Sequence, residues 1–271
     1  MATQLDKTAH FRALHDGPTF VIANAWDAGS AKILAGIGFP ALATSSGAAA
    51  GILGRRDGQI TRDEALAHAS AIVAATDLPV SADLERGFAD DPQEAAETYR
   101  LAAEIGLAGG SIEDASGDPA QPIYAFDHAV ARVVAAVSAA RASGTGFVLT
   151  ARTENHLRGV TDLADTIRRL KAYEAAGADV LMAPGLPDLD AVRAVCAALK
   201  RPFNFMAGIP RRSFTVPALA ECGVRRVSLA TSLYRAAMSG LILAAREVQE
   251  SGAMTYIDTA LPSAEVNAYF G

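Results

Sequence analysis

Cysteine is nearly absent. Cys196 and Cys222 are the only two in 271 residues, their separation matches no metal-ligand spacing, and both sit in helical patterns. They read as buried free thiols of a reducing cytosol. Positive charge is in deficit as well: 24 Lys and Arg against 30 Asp and Glu leave a net charge of −6. The pairs Arg55/Arg56, Arg168/Arg169, Arg211/Arg212 and Arg225/Arg226 are scattered and form no stripe, so nucleic acid is not an expected partner. No run approaches the ~18 apolar residues of a membrane span. The start, Met1 to Lys7, lacks the apolar core of a signal peptide, so a cytoplasmic location is expected. No composition break marks a linker. No Gly-x-Gly-x-x-Gly follows the first apolar run, where Asn24-Ala25-Trp26-Asp27 stands, which counts against an open dinucleotide-binding sheet.

What is present is ample apolar material, 51% of residues, arranged in a repeating alternation. Short Val/Ile/Leu/Phe runs predict strands near Thr19 to Ala23, Ala41 to Thr44, Val80 to Asp83, Gly110 to Glu113, Phe147 to Arg152, Val180 to Met182, Phe203 to Met206 and Arg226 to Leu229. Segments with helical period fall between them near 27–37, 62–75, 92–105, 125–143, 161–176, 188–199 and 215–222, with a last one near 231–250. Thr61 with Glu64 predicts a capping box, and Asp91 with Pro92 an N-cap followed by proline in the first turn. Eight such units predict an α/β fold, a single (β/α)8 barrel domain over residues 1–271 with its active site at the C-terminal strand ends. The tail, 251–271, is extra, and its Met254, Ile257, Leu261, Val266, Tyr269 and Phe270 need a surface on this barrel or on a neighbouring subunit.

The strand ends are where chemistry is expected. Asp83 and Glu85 close one apolar run, Glu113 and Asp114 another, and Asp57 stands in the loop of the second unit. Carboxylates converging in one pocket repel and raise each other's pKa unless a cation compensates, and oxygen ligands without His or Cys suit Mg2+, or Mn2+. Asp57 also fits a plain turn and Glu85 a surface ion pair. Arg152 reads either as a bidentate donor to a substrate carboxylate or phosphoryl group or as an ion-pair partner of Glu154. Ser45-Ser46-Gly47 offers backbone N–H groups for an anionic oxygen. The segment Asn204 to Gly208 follows Arg201-Pro202-Phe203 in a similar way, and Asn155 and His156 follow Arg152 closely.

Together Asn24 to Ala31, Thr44 to Gly47, Leu53 to Gly58, Ser81 to Gly87, Ser111 to Asp114 and Thr150 to Glu154 resemble the isocitrate lyase/phosphoenolpyruvate mutase superfamily, from about Phe20 to about Arg246. The resemblance implies a Mg2+-dependent barrel enzyme that makes or breaks a C–C or P–C bond of a 2-oxo acid through a metal-bound enolate. It implies that Asp83 holds the metal with Asp57, Glu85 and Glu113 around it, largely through water. Backbone at Ser45, Ser46 and Gly47, with Arg152, would grip a carboxylate, Trp26 and Asn204 would line the substrate pocket, and Arg152, Asp57 and Glu113 would carry the catalysis. A homotetramer with exchanged last helices is also implied. Three departures bear on the reaction: the segment Ala115 to Tyr124 lacks the Lys-x-Cys-Gly lid of the lyases, Ala43 replaces a tyrosine, and Glu85 replaces the commoner aspartate. A lyase or decarboxylase acting on an oxaloacetate-like 2-oxo acid is therefore expected. A phosphonopyruvate-type P–C mutase or hydrolase and a catalytically degenerate 2-oxo acid binding protein are the alternatives.

Overall fold

Eight parallel strands close on themselves in sequence order, so the first unit must meet the last. The structure, a computed structural model, describes residues 2–210 and 212–270. Arg211 of the expected Arg211/Arg212 pair, and Met1 and Gly271 at the ends of the expected domain, lie outside the described residues. The strands are β1 (Phe20–Asn24), β2 (Leu42–Ala43), β3 (Val80–Asp83), β4 (Gly109–Glu113), β5 (Val148–Arg152), β6 (Val180–Met182), β7 (Phe203–Met206) and β8 (Arg226–Ser228). Closure is made by Phe20, Val21 and Ile22 opposite Arg226, Val227 and Ser228. Both faces of such a sheet are covered, and the strands accordingly read as short apolar runs without clean alternation.

The helices are α1 (Gln4–Asp16), α2 (Ala28–Ile37), α3 (Ser46–Ile52), α4 (Arg62–Ala75), α5 (Pro92–Glu104), α6 (Phe126–Ala142), α7 (Leu163–Ala175), α8 (Leu189–Ala198), α9 (Val216–Glu221), α10 (Ser232–Ser251) and α11 (Ser263–Asn267). Thr61 and Glu64 form the expected reciprocal box, and Asp91 accepts from the amides of Gln93 and Glu94 ahead of α5. The expected (β/α)8 barrel with a helical tail is present. Two helices were not anticipated. α1 plugs the N-terminal end of the barrel, placing Phe11, Leu14 and His15 against Phe20, Val148 and Val180. Gly109 makes room for that plug, since a methyl there would stand 3.0 Å from Phe11 and 2.6 Å from the Val148 carbonyl. α3 begins where a loop was expected, at Ser46.

The far end of the chain is less covered. None of the 20 residues of α10 is buried, and Leu241, Ile242 and Leu243 are among the most exposed apolar side chains. Met254, Ile257 and Leu261 also remain exposed, whereas the Tyr269 ring sits over Gly36 of α2 and Lys32 Nζ reaches the Phe270 carbonyl at 3.4 Å. Among the described residues no helix is long and apolar enough to cross a membrane. Both cysteines are free thiols, Cys222 buried and Cys196 half-buried.

Candidate active site

The last residues of β3, β4 and β5 point into one mouth. Asp83 Oδ1 is 3.9 Å from Arg152 Nη1, and Glu113 Oε2 is 3.5 Å from Arg152 Nε. Arg152 Nε also donates to Glu154 Oε1, and Glu154 is itself almost fully buried. Burial alone would weaken the protonated guanidinium, but Glu154, Glu113 and Asp83 outweigh it and hold Arg152 charged. Glu154 is in turn fixed from behind: its N–H donates to Asp114 Oδ1 at 2.8 Å. Asp114 Oδ2 accepts from Tyr173 Oη (2.7 Å), Thr153 Oγ1 (2.9 Å) and Arg169 Nη1 (3.2 Å). Asp114 is thus the buried support of the β5 end.

Negative charge accumulates on the other side of the mouth. Glu85 lies in a tight turn with φ +49°, followed by Gly87 at +77° and Phe88 at +59°, left-handed conformations that side chains rarely adopt. That turn returns the Glu85 carboxyl toward Asp83 and Asp57, where its Oε1 is buried with no hydrogen-bond partner. Burial first, then the charges of Asp83 and Asp57, push it up to about 7. Burial likewise pushes Glu113 well above the usual carboxylate range; Arg152 opposes the rise, and Glu154 and Asp83 add to it. Asp57 sits on an exposed loop, close enough to Gly47 that a methyl there would meet its Oδ2 at 3.2 Å and Thr231 Cγ2 at 2.9 Å. Asp57, Glu85, Glu113 and Arg152 all line an outer cleft of about 920 Å³. A narrower cavity of about 50 Å³ continues below Asp83 and Arg152 into the barrel.

The other expected residues are placed less uniformly. Ser46 is at the cleft, and its amide donates to Asp83 Oδ2 at 3.2 Å, so this N–H is directed at an acid of the protein. Gly47 follows in the same first turn, and Ser45 is buried as the N-cap without a side-chain capping bond. Trp26 lines a separate, mostly apolar hollow of about 310 Å³ on the flank with Ile52, Leu53 and His68. Asn204 is fully buried in the floor of the narrow cavity, its Nδ2 donating to Ser228 Oγ and its Oδ1 accepting from Arg226. Asn155 is consumed by Thr153, Asp165 and Thr166, and His156 packs beside Gly185. The ion pair between Arg152 and Glu154 is present, and Arg152 faces the cleft as well.

Known proteins decide the family. The Phosphoenolpyruvate phosphomutase family matches residues 11–249. The crystal structure of a Burkholderia cenocepacia protein assigned as a lyase/mutase superposes with a TM-score of 0.96 at 49% identity, covering 99% of this chain and 96% of that one. The 2-methylisocitrate lyase of Shewanella oneidensis is 30% identical over 245 residues, which is 86% of this chain and 82% of that protein. The oxaloacetate decarboxylase of Paraburkholderia xenovorans is 31% identical over 233 residues, 81% and 74% of the two chains. This chain belongs to the isocitrate lyase/phosphoenolpyruvate mutase superfamily. The segment after β4, Ala115 to Tyr124, carries no thiol and no amine: Ala115 bridges Ile123, and Gly117 rests on the Arg86 guanidinium, where a methyl would come within 3.0 Å.

The donor set suits the hard divalent cation that the superfamily resemblance implies. Among the described residues, no three His, Cys, Asp or Glu side chains are close enough to ligate one ion together. An ion here would therefore have one or two direct protein ligands and complete its shell with water, the habit of Mg2+. The orphaned Glu85 Oε1 beside Asp83 is the sign that positive charge fits: a buried carboxylate oxygen without a donor is costly until a cation or proton supplies one.

Proposed function

We propose that the mouth formed by Asp83, Glu85, Glu113 and Arg152 is the active site of a Mg2+-dependent lyase acting on a small 2-oxo diacid, with decarboxylation of an oxaloacetate-like substrate as its reaction. The observation that carries the reading is the pairing of an under-compensated acid cluster with a fixed, buried arginine in one cleft. Asp83, with Glu85, Glu113 and Asp57 behind water, would hold the ion, which supplies positive charge where the 2-oxo oxygen gains electron density. Arg152 binds the substrate carboxylate; its own geometry is set by Glu154 and Asp114, so little rotamer freedom remains to be lost on binding. In the reaction the bond from C3 to the leaving carboxyl breaks, its electron pair moves to C3 and the 2-oxo group, CO2 departs, and C3 takes a proton from water of the outer cleft.

The bare lid favours this reaction over retro-aldol cleavage. Loss of CO2 needs no acid at its leaving group, and the segment Ala115 to Tyr124 offers neither Cys nor Lys for that task. Purified protein with Mg2+ and oxaloacetate should release pyruvate well above the metal-only rate; equality of the two rates defeats the reading. A second reading, cleavage of a P–C bond, draws on Arg86 and Arg158, which add two guanidinium groups to the cleft wall and suit a dianionic phosphonate. Phosphonopyruvate followed by phosphorus NMR would then yield a new phosphorus species, and an unchanged spectrum removes that reading.

A further inference from the structure

Beneath the mouth the barrel holds a charge that nothing in the reaction above uses. Arg226 is 4% exposed, and among the described residues no carboxylate lies within ion-pair distance of it. Its guanidinium is held by neutral acceptors alone: Asn204 Oδ1 from Nε at 2.7 Å, Thr150 Oγ1 from Nη2 at 2.9 Å and His15 Nε2 beside Nη1 at 3.3 Å. His15 can only accept there. Its Nδ1 faces the Phe11 carbonyl at 2.8 Å, which fixes the proton on that nitrogen, and burial followed by Arg226 itself drives the ring down to about 3. A guanidinium has five N–H groups, so two remain without a protein acceptor. A buried cation with no counter-charge costs several kcal/mol, and burial alone brings this one down to about 9.

The missing partner has a place to sit. The narrow cavity of about 50 Å³ runs from Asp83 and Arg152 down to Arg226, walled by Asn24, Thr44, Ser111 and Ser228. Ile22, Ala43, Ala82, Met182 and Met206 make much of the remaining wall apolar, so the polar groups converge at the Arg226 end, and the volume suits a few waters or one group of about three heavy atoms. It is too small for a phosphate with its shell, and too positively biased at its floor for a cation.

We propose that this well binds one small monoanion, of carboxylate or halide size, with Arg226 as its charge partner. The anion accepts the free Nη1 and Nη2 protons and neutralises the barrel floor. Two sources share this chemistry, the far carboxylate of the substrate and a free inorganic or formate ion. The proposal is independent of the decarboxylase reading, because its test needs neither turnover nor metal.

Crystals of the wild-type protein soaked in sodium bromide should show an anomalous peak within hydrogen-bonding distance of the Arg226 Nη atoms. A peak that vanishes when a 2-oxo diacid is added assigns the well to the substrate's carboxylate; one that persists assigns it to a free ion. In solution, formate should raise the melting temperature saturably above a sulfate control of equal ionic strength, and Arg226→Gln should abolish the difference. Water alone at Arg226 with bromide only on the protein surface, or equal melting shifts in formate and sulfate, overturns the proposal whether or not the variant folds.

Discussion

Glu85 concentrates the electrostatic problem of this site in one side chain. Its carboxyl titrates at about 7 in the folded chain because of burial, Asp83 and Asp57. The folded state therefore holds a proton that the unfolded chain releases near 4.5. The sign follows: metal-free protein is favoured below about 4.5 on this account and loses that advantage as pH rises through 7, by at most about 3 kcal/mol before solvent screening. Melting curves of metal-free protein between about pH 5 and about pH 8 should fall with pH, and Glu85→Gln should flatten that slope. Added Mg2+ should stabilise wild type more at the alkaline end than at the acid end, and Glu85→Gln should lose most of this metal dependence. Arg152→Lys keeps the charge but not the fork; catalytic efficiency toward a 2-oxo diacid should drop by a factor on the order of 100 with the circular dichroism spectrum unchanged. That Asp83, Glu113 and Arg152 meet was legible in the sequence because each stands at the end of an apolar run, but the same signal marks Asp114, whose carboxylate is taken up by Glu154, Thr153, Tyr173 and Arg169. Arg226 was not legible, because Arg225/Arg226 reads as a surface pair until alternation along β8 turns one side chain inward and leaves the other to reach the Gly17 carbonyl.

Elements differ in how visibly they are encoded. The strands and most helices were readable to within a residue or two, since Gly and Pro punctuate them and caps such as Thr61 and Asp91 mark their starts. α1 escaped because only Thr8, Phe11 and His15 are buried along its 13 residues, too sparse a stripe to stand out. α3 escaped because Ser-Ser-Gly is loop chemistry by composition and the helix is only seven residues long, with Ala49 and Ala50 packed against Ile60 and Ala65; a methyl on Gly51 would collide with Tyr234 Oη of α10, so Gly51→Ala should displace Tyr234 and lower the melting temperature. The plug carries a pH consequence opposite to that of Glu85. His15 is held neutral down to about 3, so stability present above about 6.5 is lost as pH falls toward 3, by up to about 4 kcal/mol. Acid unfolding followed by tryptophan fluorescence should accordingly begin near pH 6, and His15→Gln should shift its onset lower. In α7, Tyr173→Phe removes one donor to Asp114 and should cost about 1 to 2 kcal/mol in urea melts, with KM raised through a loosened Arg152.

At the scale of the whole molecule, α10 and the tail present more apolar surface than an isolated barrel needs. Leu241, Ile242 and Leu243 are 61%, 48% and 65% exposed; as consecutive residues of one helix they point to different sides, and apolar surface exposed around a helix in this way is normally covered by another chain. Light scattering should return a multiple of the 28.0 kDa chain mass, and Leu241→Glu with Leu243→Glu should return the single-chain mass with the barrel intact. Barrel closure has its own price in time. β1 hydrogen-bonds to β8, Thr19 Oγ1 donates to the Val224 carbonyl at 2.7 Å, and Arg12 at the plug reaches Asp179. During synthesis on the ribosome the earliest segment to emerge must therefore wait, with its apolar edge unsatisfied, for the translation of roughly two hundred more residues before its partner exists. A nascent chain stalled before β8 should bind holding chaperones, and release from them should coincide with the appearance of Arg226 outside the exit tunnel.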